Sequence, residues 1–160
     1  MKTAYMMIGL PYSGKSTWVR KNNAFHDGSY IAASSDHVID FVSSKYDFGY
    51  NEVFHDLIQF ANRVFNRDID RAIETDKNLV IDRTNLSRDA RAALITPLRK
   101  AGYDVVAVFH DVEYEVLLHR RARRPEKVVS HEVVENMRKR MQPPHESEGF
   151  SEILYFYHGE

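Results

Sequence analysis

Five short runs rich in apolar and β-prone residues punctuate the chain, at positions 4–8, 29–33, 79–81, 105–109 and 153–157. Each is too short for a helix. The first, third and fourth are apolar throughout, the pattern of strands buried on both faces. Between them lie longer stretches with helical signals. One helix is expected at 16–21 and another at 36–46, capped by Ser34 or Ser35. A long helix is expected over 51–74 with Asn51 as its cap, because Phe54, Leu57, Ile58, Ala61, Phe65, Ile69 and Ala72 recur every three or four residues. Ser87 caps a helix to about Lys100 that Ala101-Gly102 ends, a segment from Tyr114 to about Arg123 is broken by Pro125, and Ser130 caps a last helix to about Met141. Strands alternating with helices predict an α/β fold: a five-stranded parallel sheet with helices on both faces.

Composition narrows this reading without redirecting it. The chain has 160 residues, 43% of them apolar, enough for one domain spanning 1–160 with its own packed core. It has no cysteine, which excludes disulfides and Cys-ligated zinc and fits a reducing compartment. Its 22 Lys and Arg against 23 Asp and Glu exclude a general polyanion binder, so any nucleic-acid contact rests on a local basic patch. No apolar stretch is long enough for a signal peptide or a membrane span, and the protein reads as cytosolic.

The chemistry begins where the first strand stops. Gly9-Leu10-Pro11-Tyr12-Ser13-Gly14-Lys15-Ser16 completes the pattern G-x-x-x-x-G-K-S between a buried strand and a helix. Gly9 and Gly14 let the backbone curl so that amides point into one anion-sized hollow, and the helix start adds partial positive charge. Such a loop cradles the phosphates of ATP or GTP: Lys15 reaches the β- and γ-phosphates and the Ser16 hydroxyl ligates Mg²⁺. Pro11, Tyr12, Ser13 and Thr17 complete the expected nucleotide contacts. Asp82 ends the third strand, at the edge where open α/β sheets bind ligands, and is the expected second Mg²⁺ carboxylate. Asp36 follows the second strand on the acceptor side and is the expected general base, with Asp40 one turn further on. Arg120 and Arg124, in His119-Arg120-Arg121-Ala122-Arg123-Arg124-Pro125, are expected on a lid over about 114–130 that closes on the transferring phosphoryl group, Arg120 also touching the nucleotide. The eight histidines lack zinc-site spacing and read as surface or structural side chains, and Trp18, Phe54, Phe60 and Phe65 read as core.

These residues resemble the kinase domain of phage-type 5′-polynucleotide kinase over most of the chain. The phosphate loop with Thr17-Trp18, the element Asp82…Thr84-Asn85-Leu86, and Arg120 with Arg124 carry the resemblance. It implies an adenylate-kinase-like P-loop fold with an arginine lid, binding of ATP·Mg²⁺, and phosphorylation of a DNA or RNA hydroxyl. The acceptor motif departs from the family's N-R-D-D-x-x-R. Here it is Ala33-Ser34-Ser35-Asp36-His37-Val38-Ile39, with one carboxylate and neither arginine. That opens the acceptor to hydroxymethylated pyrimidines in DNA, which related phage kinases phosphorylate. The segments at 50–54 and 149–153 also resemble the P-loop domain of heterogeneous nuclear ribonucleoprotein U, an NTP-binding module on nucleic acid. A non-kinase binding module and a small-molecule or nucleoside kinase are the alternatives.

Overall fold

The computed structural model describes residues 1–35, 50–124 and 129–159. The five expected strands form: β1 (Lys2–Ile8), β2 (Tyr30–Ala33), β3 (Asn78–Ile81), β4 (Tyr103–Val112) and β5 (Glu152–His158). They make one sheet in the order β2-β3-β1-β4-β5, with every neighbouring pair parallel. Five α-helices lie among the described residues: α1 (Lys15–Lys21), α2 (Tyr50–Glu74), α3 (Arg88–Lys100), α4 (Tyr114–Ala122) and α5 (His131–Arg140).

Alternation along β1 sends its side chains to two separate cores. Ala4, Met6 and Ile8 pack with Phe65, Ile69 and Ala72 of α2 and with Ile95 and Leu98 of α3. Met7 packs on the other face with Val80, Val108 and a partly buried aromatic group that includes Tyr5, Trp18, Phe25 and Phe156. Trp18 is therefore a packing residue, as expected. Phe65 is also core, but Phe60 is 47% exposed. Five residues along a helix turn the side chain well off the buried face, so two phenylalanines at that spacing cannot both point inward.

Ser87 and Ser130 cap α3 and α5 as expected, accepting hydrogen bonds from the amides of Ala90 and Val133. α2 already includes Tyr50, one residue before the expected cap at Asn51. The expected helix over 36–46 lies outside the described residues. β4 runs three residues past its expected end at Phe109. The polar pair His110-Asp111 reads as a strand end in sequence, yet β5 pairs with β4 as far as Val112 and keeps His110 only 4% exposed.

Behind the sheet's carboxyl edge, Arg91 of α3 is fully buried. Its Nε and Nη2 donate to the two carboxylate oxygens of Glu148, at 2.8 and 3.0 Å. Its Nη1 donates to the carbonyls of Asn85 and Leu86, at 2.8 and 3.1 Å. One guanidinium thus fixes the loop after β3 to the turn that leads into β5.

Candidate active site at the phosphate loop

The sheet order brings the carboxyl ends of β3, β1 and β4 side by side, and the loop from Gly9 to Ser16 rises from the middle one. Two of its residues adopt left-handed backbone: Gly14, with φ of 101°, and Tyr12, with φ of 66°. At Gly9 the requirement is space, since a Cβ there would meet Ser13 Oγ at 2.5 Å. The Gly9 amide does not point into the loop. It donates to the Thr84 carbonyl at 3.1 Å, so this glycine anchors the loop to the segment after β3. Asn85 reinforces that seam. With φ of 48° it turns its side-chain amide onto the Met7 carbonyl at 2.6 Å and the Arg83 carbonyl at 3.3 Å. Arg91 holds the same segment from behind.

This seam places the two expected metal ligands opposite each other. Ser16 Oγ donates to Asp82 Oδ2 at 3.4 Å. A hydroxyl and a carboxylate, both hard oxygen donors at the mouth of a phosphate loop, fit Mg²⁺. Lys15 folds back along its own loop and donates to the carbonyls of Gly9 and Leu10 at 2.9 and 2.8 Å.

The segment expected as a lid contacts the loop through Tyr12. Arg120 Nη1 donates to the Tyr12 carbonyl at 3.2 Å, and the Tyr12 hydroxyl accepts from the Val129 amide at 2.8 Å. Arg121 Nε donates to the Val129 carbonyl at 2.7 Å. Arg120 lies within α4 and Arg124 beyond its end at Ala122. Both arginines nevertheless line the same cavity, of about 1090 Å³, together with Pro11, Tyr12, Ser13, Gly14, Lys15, Ser16, Thr17 and Asp82. Asp36 and Asp40, the expected base and its neighbour, lie outside the described residues.

Sequence reasoning missed two histidines. His110 on β4 and His158 on β5 meet at the loop, with His110 Nδ1 3.1 Å from His158 Nε2. Arg120 Nη2 lies 3.2 Å from His158 Nδ1. A Cβ on Gly14 would lie within 4 Å of Arg120 and of both rings. The two histidines stand far apart in sequence, and only the β4–β5 register joins them. The one available signal was a polar pair interrupting a strand.

Burial, reinforced by His158, Lys15 and Arg120, pushes His110 down to about 4 from its usual 6.5. An unfolded chain takes up a proton near 6.5 that the folded ring refuses. Stability from this group is therefore whole above that value and falls as the pH drops toward the folded value. The Tm of the wild type should decline as the pH is lowered from about 7 to about 4.5, and less steeply in His110→Gln. Parallel slopes in circular-dichroism melts would remove His110 as a cause.

The sequence matches the AAA domain family over residues 5–144. A kinase candidate from Chloroflexus aurantiacus superposes with a TM-score of 0.72 at 15% identity, covering 98% of this chain and 88% of that one. A sugar kinase from a Janibacter species gives 0.64 at 14% identity, with 97% and 86% covered. Chaetomium thermophilum Kti12 in complex with ADP-AlF3 gives 0.58 at 20% identity, with 96% and 88% covered. The fold is thus the P-loop kinase-like α/β fold. No helix among the described residues is long and apolar enough to cross a membrane.

Proposed function

The chain belongs to the AAA domain family, and on that premise we propose that it is an ATP-dependent kinase whose acceptor is a hydroxyl of a nucleic acid. The observation that carries this reading is the charge of the cavity. Lys15, Arg20, Lys21, Arg83, Arg120, Arg123 and Arg124 line it, and among the described lining residues Asp82 is the one carboxylate. A chain with balanced overall charge that gathers so many cations round one cavity is suited to a polyanion. A triphosphate uses some of these charges, and a nucleic-acid backbone would use others.

In the proposed reaction the acceptor oxygen attacks the γ-phosphorus in line. The bond from that phosphorus to the bridging oxygen breaks and ADP leaves. The acceptor's proton passes to a carboxylate, for which the sequence offers Asp36 or Asp40. Lys15, Arg120 and Arg124 offset the negative charge spread over the transferring group. Ser16 and Asp82 would hold Mg²⁺, which when bound neutralises phosphate charge and orients the γ-phosphate.

A second reading, a small-molecule hydroxyl kinase, has support from the fold likeness to a sugar kinase. Incubation with γ-labelled ATP and a panel of 5′-OH DNA, 5′-OH RNA, hydroxymethyl-base DNA, nucleosides and hexoses separates the readings. Label on a polynucleotide supports the proposal, and label on a nucleoside or hexose alone replaces it. Nucleotide binding without transfer to any of them would leave an NTP-binding module.

Arg120→Ala and Arg124→Ala should each lower kcat on the order of tenfold to a hundredfold while raising the Kd for ATP less, because lid charges matter most as the phosphoryl group moves. If both variants lose only DNA affinity, with a shallower salt dependence, the cluster is a docking patch.

A further inference from the structure

Tyr12 stands in the phosphate loop with its backbone in the left-handed region, at φ of 66°. Glycine takes up that conformation without strain, and a bulky aromatic residue does not. The loop pattern leaves this position open to any residue, so the motif itself does not call for a tyrosine. An aromatic residue held in a strained turn points to a task for its side chain.

The contacts of Tyr12 show what that task is. It lines the cavity, yet it packs against the small core that Leu10 of the loop, Leu117 of α4 and Val134 of α5 form. Val129 and Met137 pack against the same core. The polar groups of Tyr12 reach the same elements. Its carbonyl accepts from Arg120 Nη1 at 3.2 Å, and its hydroxyl accepts from the Val129 amide at 2.8 Å. The other side of Val129 is held as well, because its carbonyl accepts from Arg121 Nε at 2.7 Å. One residue further on, Ser130 caps α5. The hydroxyl is thereby tied, through the Val129 backbone and Arg121, to the last turn of α4, which carries Arg120. Tyr12 and Arg120 have further partners besides these, and Arg120 Nη2 also lies 3.2 Å from His158 Nδ1.

We propose that Tyr12 is a positioning residue for phosphoryl transfer. Its hydroxyl fixes Val129, and so the last turn of α4, against the phosphate loop. That sets Arg120 where it meets the transferring group. A long side chain with many rotamers contributes most when the backbone that carries it is already in place. The proposal rests on the reading of the loop as a nucleotide site and of Arg120 as a group that stabilises the transfer, and it does not depend on the acceptor.

The test is calorimetric titration with ADP·Mg²⁺, with and without aluminium fluoride, which beside ADP stands in for the phosphoryl group in transfer. Wild type should bind ADP more tightly when aluminium fluoride is present, and Arg120→Ala should lose much of that gain. Tyr12→Phe deletes one hydroxyl and keeps the ring in its core. It should bind ADP alone within about twofold of wild type and lose roughly three- to tenfold of the gain, the effect of one hydrogen bond. In the Arg120→Ala background the same change should cost less than about twofold, because two residues that act through one group are not additive. A merely structural role would weaken ADP alone, or act equally in both backgrounds. Either result overturns the proposal and leaves the nucleotide site standing, as does a Tyr12→Phe variant that keeps the full gain. Failure of wild type to bind ADP removes the site and the proposal together. Wild type that binds ADP but gains nothing from aluminium fluoride removes the role of Arg120, and the proposal with it.

Discussion

Lys15→Ala should leave a folded protein that has lost most of the proposed phosphoryl transfer, a fall on the order of 10²–10³-fold at saturating ATP. The fold should survive because, among the described residues, the Lys15 ammonium donates to the carbonyls of Gly9 and Leu10, within its own loop. The chemistry should not survive, because the charge nearest the transferring group is removed from a site where water cannot replace it in a fixed position. Transfer of label from γ-labelled ATP, beside a thermal melt, checks both halves. Turnover near wild type in a well-folded variant would take away the proposed reaction. A collapsed melt would show that the loop needs its lysine to form.

Arg91→Ala should cost about 3–5 kcal/mol of folding stability, as expected when one partner of a buried ion pair is removed. Arg91 is fully buried and the Glu148 side chain is 8% exposed. Deletion of the guanidinium strands a carboxylate and two backbone carbonyls away from water. Arg91→Lys should recover little, since an ammonium cannot span both carboxylate oxygens and also reach Asn85 and Leu86. The paired change Arg91→Met with Glu148→Leu should be milder than Arg91→Ala, because it strands no charge. Urea denaturation measures all three. A loss below about 1 kcal/mol for Arg91→Ala would mean that water enters and solvates the pair.

The phosphate loop, the five strands and the ends of α3 and α5 were legible because each is written in adjacent residues. A glycine-lysine pattern, an apolar run and a capping serine need no knowledge of the rest of the chain. Asp82 was legible for a similar reason, as the first charge after a buried strand. What was illegible depends on register or on long reach. Arg91 looks like one more basic residue on an amphipathic helix, and only the return of the chain at Glu148 makes it a buried anchor. His110 looks like the polar end of a strand until β5 extends past it. Tyr12 sits inside the loop motif, but its double link to Arg120 and Val129 joins residues more than a hundred positions away from it. Asn85 was read as part of a family element, and its bond to the Met7 carbonyl supplies the physical reason for that residue.

The sheet order also bears on how the chain reaches this structure. β1 is the central strand, and Ala4 is in register with Leu79 on one side and Val105 on the other. Of these five strands, the first to be synthesised is therefore the one whose both neighbours are made later. Its run Met6-Met7-Ile8 cannot be shielded by local pairing and must wait, exposed or loosely collapsed, until much of the chain has followed. Closure of such long loops is slow and gives little reward before the second partner arrives. While it waits, the strand exposes apolar surface that favours association between chains, and refolding yield from urea should fall with protein concentration more steeply than for a fold built from neighbouring hairpins.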